Sequence, residues 1–146
     1  MATTSRARTL AAAQEELWAT VGDPRELPRW WPRVQRVEAA DDDHFTEVLG
    51  AASGRPVRAD FRIAEHDAPR RCHWEQELTG TPFERHWRRV AVSIELESSE
   101  AAQTRVTLTL TRVPSGFSLL GGPLVRRASA RELEAALDRL EELHGG

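Results

Sequence analysis

The stretch from residue 34 to residue 113 alternates apolar and polar side chains with a period of two. The clearest segments are "VRADFRIAEH", "HWRRVAVSIELE" and "TRVTLTLTRV". This alternation predicts about six half-buried antiparallel strands. The short turns between them, such as "DAPR" and "TGTP", predict a meander in which each strand pairs with the one before it.

Two short helices are predicted ahead of this meander. "AAAQEELWATV", residues 11–21, places Ala13, Leu17 and Val21 on one stripe. Asp23 can cap a second helix that begins at Pro24. Further prolines at positions 28 and 32 keep that helix short. A short β-tolerant segment, residues 3–11, precedes both helices.

The chain returns to a helical period at its end. From about residue 123 to residue 143 the sequence predicts one long amphipathic helix. Its apolar stripe consists of Val125, Ala128, Leu133, Ala136, Leu137, Leu140 and Leu143.

A sheet with one apolar face must bury that face, and the last helix is the available cover. We therefore expect an α+β fold in which a curved antiparallel sheet of about seven strands surrounds the long C-terminal helix. The two short helices lie between strands 1 and 2. The absence of repeats, low-complexity tracts and linkers predicts one domain over residues 1–146.

Two adjacent tryptophans stand out in "LPRWWPRVQRV", residues 27–37. Neighbouring side chains on a helix point about 100° apart. Trp30 and Trp31 are therefore expected to serve different surroundings.

Composition narrows the functional classes. The chain has a formal net charge of −3, which argues against a nucleic-acid partner. No apolar run approaches the ~20 residues of a membrane span or forms a signal peptide, so no stable membrane insertion is expected. The single cysteine, Cys72, rules out an internal disulfide and suits a reducing cytoplasm, the expected location.

Two segments carry a family resemblance: "EELWATVGDPRELPRWWPRVQRVE", residues 15–38, and "PSGFSLLGGPLVRRASARELEAALDRLEELHG", residues 114–145. Together with the strand meander they resemble the helix-grip superfamily, also called START-like or SRPBCC. Its bacterial members are often grouped as polyketide cyclase/dehydrase and lipid-transport proteins. The resemblance implies a ligand between the concave face of the sheet and the closing helix. It also implies that Trp30 packs beneath the end of the sheet, while Trp31 lies near a cavity mouth or on the surface.

Strand parity extends this expectation to polar residues. If Val90 and the alternate residues after it point inward, Arg88 and His86, which lie two and four residues before Val90, point inward as well. In the same way Gln76 shares a face with Trp74, and Arg112 shares a face with Leu110. The alternative is that these charged groups sit at strand ends, where bulges break parity and the side chains reach water. A mostly apolar lining with a few polar groups is typical of a small-molecule pocket. The candidate ligand-binding residues are Trp31, Phe61, Trp74, Gln76, His86, Arg88, Val92, Leu108, Leu110 and Arg112.

The resemblance implies a candidate enzymatic activity as well. Polyketide cyclases of this superfamily hold a poly-ketone chain and steer its enolisation, ring closure and loss of water. This chemistry needs a proton carrier and a donor for a developing enolate. His86 is the candidate for the first role and Arg88 or Arg112 for the second. The chain has no tyrosine, no Ser/His/Asp spacing and no Gly-rich phosphate loop.

No metal site and no cofactor are expected. His44, His66, His73, His86 and Cys72 are spread over the predicted strands, the adjacent Cys72 and His73 point to opposite faces, and none of them has the paired spacing of zinc ligands. The apolar segment "GFSLLGGPLV", residues 116–125, has three interpretations: a flap over the cavity mouth, a membrane contact, or ordinary packing at the start of the last helix.

The leading hypothesis is binding or transport of a hydrophobic small molecule, lipid or polyketide-like, without catalysis. The first alternative is a polyketide cyclase or dehydratase that uses polar cavity residues. The second alternative is an accessory domain that binds a partner protein through Trp31 and residues 116–125.

Overall fold

The computed structural model describes residues 2–50, 54–100, 102–116 and 121–145. In these ranges one antiparallel sheet of seven strands accompanies three α-helices. The two short helices stand between the first and second strands, as the sequence predicts. The elements are β1 (Ala2–Leu10), α1 (Gln14–Val21), α2 (Leu27–Trp30), β2 (Val34–Glu38), β3 (His44–Leu49), β4 (Val57–Asp67), β5 (Arg71–Gln76), β6 (Trp87–Glu100), β7 (Gln103–Pro114) and α3 (Gly121–His144).

The strand order is β1-β7-β6-β5-β4-β3-β2. Every strand from β3 to β7 pairs with its predecessor, which confirms the predicted meander. β1 then pairs with β7, from Ala2 opposite Arg112 to Leu10 opposite Thr104. The first and last strands are therefore neighbours, and the end of β7 lies beside the start of the chain.

Helix α3 covers the apolar face of the sheet and lies closest to β1 and β7. Ile94 and Leu108, on the sheet, belong to the same fully buried core as Leu133 and Leu137 on the helix. Full burial of each such side chain contributes about 1.5–3 kcal/mol to stability. The helix-grip arrangement predicted from the sequence is confirmed.

The buried stripe of α3 differs in part from the predicted one. Ser129 is buried and Ala128 is exposed, Val125 is only half-buried, and Leu143 is 38% exposed. The middle of the helix lies on the sheet, whereas its two ends extend past the core. The predicted stripe is therefore correct from Leu133 to Leu140 and wrong beyond it.

A smaller correction concerns α1. Ala13, expected on the buried stripe, caps the helix and is exposed, whereas Leu17 and Val21 are fully buried. None of the helices in the described ranges combines the length and the apolar character that a membrane span needs.

The two adjacent tryptophans are both buried, with 0% exposure for Trp30 and 5% for Trp31. Their rings meet edge to face, with centroids 5.2 Å apart. Trp30 belongs to the core, as expected. Trp31 is not a surface residue, and its truncation is expected to destabilise the fold.

Replacement of Trp30 by alanine should lower the free energy of unfolding by about 3–5 kcal/mol, because it leaves a large cavity in the core. Urea denaturation followed by circular dichroism measures this change. Trp18→Ala is a suitable comparison, since that indole is only half-buried. Equal losses in the two variants would contradict the core role of Trp30.

Candidate functional site

A cavity of about 230 Å³ lies between the concave face of the sheet and α3. Every strand from β3 to β7 contributes to its wall, together with α3, the segment after α2 and a 3₁₀ turn at Pro82–Arg85. The lining residues are Trp31, Pro32, Arg33, Glu47, Leu49, Ala59, Phe61, Gln76, Phe83, Trp87, Val90, Val92, Leu110, Arg112 and Glu132.

Part of the predicted site is brought together in this wall. The predicted residues that line the cavity are Trp31, Phe61, Gln76, Val92, Leu110 and Arg112. Trp74 and Leu108 are buried in the core and are not among the lining residues. Trp74 instead packs its edge against the ring of Phe45, with centroids 5.1 Å apart.

The inward orientation expected for His86 and Arg88 is wrong. His86 ends the 3₁₀ turn and is exposed. The pairing of β6 with β7 shifts between Trp87 and Arg89, so the strand contains an irregularity at its start. As a result Trp87 lines the cavity, while Arg88 is exposed and borders a separate surface depression.

Glu132 of α3 forms hydrogen bonds with β7 and with the segment after α2 in the cavity wall. One carboxylate oxygen accepts a hydrogen bond from Arg112 Nη2 at 2.9 Å, and the other accepts one from Trp31 Nε1 at 2.7 Å. Arg112 Nη1 also lies 3.5 Å from the Ser129 hydroxyl. The Arg112 guanidinium is therefore already paired with an acid inside the site.

A second acid, Glu47 on β3, faces the cavity without such a partner. It is 7% exposed, and its direct cross-strand neighbours are the apolar residues Val37 and Ala59. No side chain in the described part of the chain donates a hydrogen bond to its carboxyl group. Burial raises the pKa of Glu47 to about 8, the negative charge of Glu132 raises it as well, and the positive charge of Arg112 opposes both. Glu47 is thus mostly protonated at neutral pH.

Gln76 adds another polar group without a partner. Its Nε2 atom is buried and forms no hydrogen bond with any described residue. Unpaired buried polar groups cost about 1–3 kcal/mol each. The carboxyl group of Glu47 and the amide nitrogen of Gln76 are therefore available to form hydrogen bonds with a ligand.

Glu47 and Glu132 are the candidate functional residues in the cavity wall that the sequence analysis missed. Glu47 shares strand parity with Phe45 and Leu49, so an acid between two inward apolar residues was a usable signal. Glu132 precedes Leu133 and follows Ser129 by one helical turn. Nothing in the helical pattern distinguishes it from the exposed charges around it.

A serine, a histidine and an acid also meet on the other face of the sheet. His73 Nδ1 lies 2.6 Å from Ser93 Oγ, and His73 Nε2 lies 2.5 Å from a carboxylate oxygen of Glu75. His73 lies between the buried residues Cys72 and Trp74 on β5, so it points away from the core. Glu75 also accepts two hydrogen bonds from Arg89, and Ser93 and Arg89 lie on β6. The cluster therefore links β5 to β6, and we assign it a structural role. Within the described residues no group of three or more His, Cys, Asp or Glu side chains is arranged to hold a metal ion.

Comparison with known proteins places this geometry in context. The family model described as "Polyketide cyclase / dehydrase and lipid transport" matches residues 1–145. The sequence matches no curated protein significantly.

Several solved structures share the fold. XoxI from Bacillus cereus is 16% identical with a TM-score of 0.79, and the alignment covers 99% of this chain and 96% of XoxI. A START superfamily protein from Mycobacterium smegmatis is 14% identical with a TM-score of 0.78, covering 97% of this chain and 96% of the other. The di-domain ARO/CYC BexL from the BE-7585A biosynthetic pathway is 20% identical with a TM-score of 0.78, covering 97% of this chain and 46% of BexL. At these identities the likeness establishes the fold alone.

The raised pKa of Glu47 predicts a pH-dependent stability. The folded protein holds this proton more tightly than the unfolded chain, so the contribution is fully present below about pH 4.5 and is lost as the pH rises to about 8. The free energy of unfolding should fall by up to about 1.4 kcal/mol per pH unit in this window. Glu47→Gln should remove this slope in urea denaturation at several pH values.

Glu142→Gln, at an exposed position on α3, serves as the control and should leave the slope unchanged. Parallel pH profiles for the wild type and Glu47→Gln would show that Glu47 is ionised in the folded state.

Proposed function

This chain belongs to the polyketide cyclase/dehydrase and lipid transport family, and we propose that it binds a small hydrophobic molecule in the cavity between its sheet and α3. The observation that carries the proposal is the space itself. Phe61, Val92 and Leu110 line it, yet they leave about 230 Å³ between them. A mostly apolar wall with a few convergent polar groups is the usual composition of a ligand site.

The size of the cavity limits the ligand. Typical small-molecule pockets span about 300–1,000 Å³, so a volume of about 230 Å³ suits a ligand at the small end of this range. A single short chain or one compact ring system fits better than a two-chain lipid. The polar residues Glu47, Gln76 and Arg112 would then orient the ligand, while the apolar wall supplies most of the affinity.

The partner-protein alternative receives less support. It relied on an exposed Trp31, which is buried and bonded to Glu132. It also relied on residues 116–125, of which residues 117–120 lie outside the described part of the chain. Leu124, in the first turn of α3, is 62% exposed.

Filling the cavity should abolish binding. Ala59 is buried and lines the cavity, whereas Ala64 on the same strand is exposed. Ala59→Leu should weaken the binding of hexanol, used as a small hydrophobic probe, by roughly tenfold or more, and Ala64→Leu should leave it unchanged. Isothermal titration calorimetry measures both affinities.

Native mass spectrometry of the protein purified from its own host should also detect a hydrophobic molecule that Ala59→Leu no longer retains. Absence of any bound molecule, together with no hexanol binding by the wild type, would refute the proposal.

Proton transfer to a carbonyl substrate is a second candidate, and the position of Glu47 favours it. A carboxylic acid that keeps its proton near neutral pH can donate it to a carbonyl oxygen while a water molecule takes the α-proton from carbon, which gives the enol. The acid then regains a proton from solvent. Gln76 Nε2 lies in the same cavity without a partner among the described residues, so it could donate a hydrogen bond to the developing negative charge. In this version Glu47 takes the proton-carrying role expected for His86, and the reaction would be a cyclisation or dehydration.

This candidate predicts catalysed exchange of the acidic C–H protons of a small β-diketone, acetylacetone, in deuterium oxide. The rate should fall as the pH rises through about 8, because the acid form of Glu47 disappears. Glu47→Gln should reduce the rate to that of buffer, and His86→Gln should retain it. Nuclear magnetic resonance follows the exchange. A wild-type rate equal to that of buffer would leave ligand binding alone as the proposed function.

A further inference from the structure

Aromatic rings are concentrated around the cavity. The chain contains five tryptophans and four phenylalanines, and four of these nine side chains line this one space: Trp31, Phe61, Phe83 and Trp87. The face of an aromatic ring carries partial negative charge and attracts cations within about 6 Å of its centre. The wall is therefore suited to an apolar group that carries positive charge.

The charged residues of the cavity wall also favour a positively charged ligand. Two acids, Glu47 and Glu132, face the cavity, and the guanidinium of Arg112 is hydrogen-bonded to Glu132. The other cation in the lining, Arg33, is exposed and directs Nη2 to the Gly50 carbonyl at 3.3 Å. Glu47 therefore has no counter-ion among the described residues.

We propose that the cavity takes a hydrophobic amine, with Glu47 ionised as the counter-ion of the ammonium group and the aromatic rings around its carbon atoms. This inference rests on the proposed function, because it concerns the same cavity. It adds the chemical class of the ligand and the residue that selects it.

The alternatives are less well matched to the site. A carboxylate ligand would place a second negative charge in the cavity beside that of Glu132, and Arg112 is already paired with Glu132. A neutral alcohol or ketone can hydrogen-bond to Glu47 or Gln76 but makes no use of the negative field that Glu132 adds. An ammonium ion uses this field and forms a charged pair with the buried Glu47, while the four aromatic side chains of the lining surround its carbon atoms.

Binding of an amine should release a proton from Glu47 to the solvent. An alkylamine arrives as the ammonium ion, since amines of this kind have a pKa near 10. Glu47 releases its proton to solvent when it ionises, so binding at neutral pH releases close to one proton per ligand. A neutral ligand releases none.

A matched ligand series tests the inference. Hexylamine, hexanol, methyl butyl ketone and hexanoate have nearly the same size and differ in charge. Isothermal titration calorimetry at neutral pH, in two buffers of different ionisation enthalpy, gives both the affinity and the number of protons released. For the wild type we expect hexylamine to bind about tenfold or more tightly than hexanol or the ketone, with hexanoate weakest and proton release for the amine only.

Two variants test whether Glu47 causes the preference for hexylamine. Glu47→Gln should bind hexylamine and hexanol about equally and should release no proton. Glu142→Gln, at an exposed helical site, should retain the preference for the amine.

The outcomes separate this inference from the proposed function. Binding of hexanol or the ketone without any preference for hexylamine, or an amine preference that survives in Glu47→Gln, overturns the inference and leaves the proposed function standing. Tightest binding of hexanoate also overturns it. Failure of all four ligands to bind counts against the proposed function itself.

Discussion

The position of helix α3 on the sheet is the constraint on which the structure depends. The helix lies closest to β1 and β7 and buries its leucines against that side of the concave face. The inward side chains of β3, β4 and β5 contribute to the same concave face but extend beyond the helix. The space that remains there is the cavity, so the packing that stabilises the fold also creates the proposed ligand site.

Glu132 connects this packing to the chemistry of the site. It projects from α3 and bonds to Arg112 on β7 and to Trp31 after α2. It therefore holds the indole of Trp31 against the cavity and neutralises the guanidinium. Its negative charge also reaches Glu47 and contributes to the raised pKa of that residue. One helical residue thus determines much of the electrostatic character of the cavity.

The cavity contains groups that reduce stability. Glu47 is buried among apolar neighbours, and the Gln76 amide nitrogen is buried without a partner. Replacement by apolar residues of similar size would remove these costs. Buried groups with a shifted pKa in a cavity are typical of functional sites. Ion pairs on the sheet surface such as Arg58–Glu38 and Arg71–Glu65 are exposed and weakly stabilising. This contrast supports the proposal of a function for the cavity.

The fold could be predicted from the sequence because it depends on local patterns. Alternation in β4, β6 and β7, the capped turn at Asp23 and the helical stripe from Leu133 to Leu140 determine the element order and the buried faces. Strand parity also placed Gln76 and Arg112 correctly in the cavity wall. These positions lie within regular strands, where a period of two persists along the chain.

Only the tertiary structure decided which charges enter the cavity. His86 is exposed because it ends the 3₁₀ turn before β6, and Arg88 is exposed because the β6–β7 pairing shifts beside it. Neither irregularity leaves a clear mark on the sequence. The roles of Glu47 and Glu132 depend on residues far along the chain, Arg112 and Trp31 among them. The local hydrophobic pattern is enough to determine which face of each helix or strand is buried. The electrostatic surroundings of a buried group depend on all of its neighbours in space, and folding brings these together from distant parts of the chain.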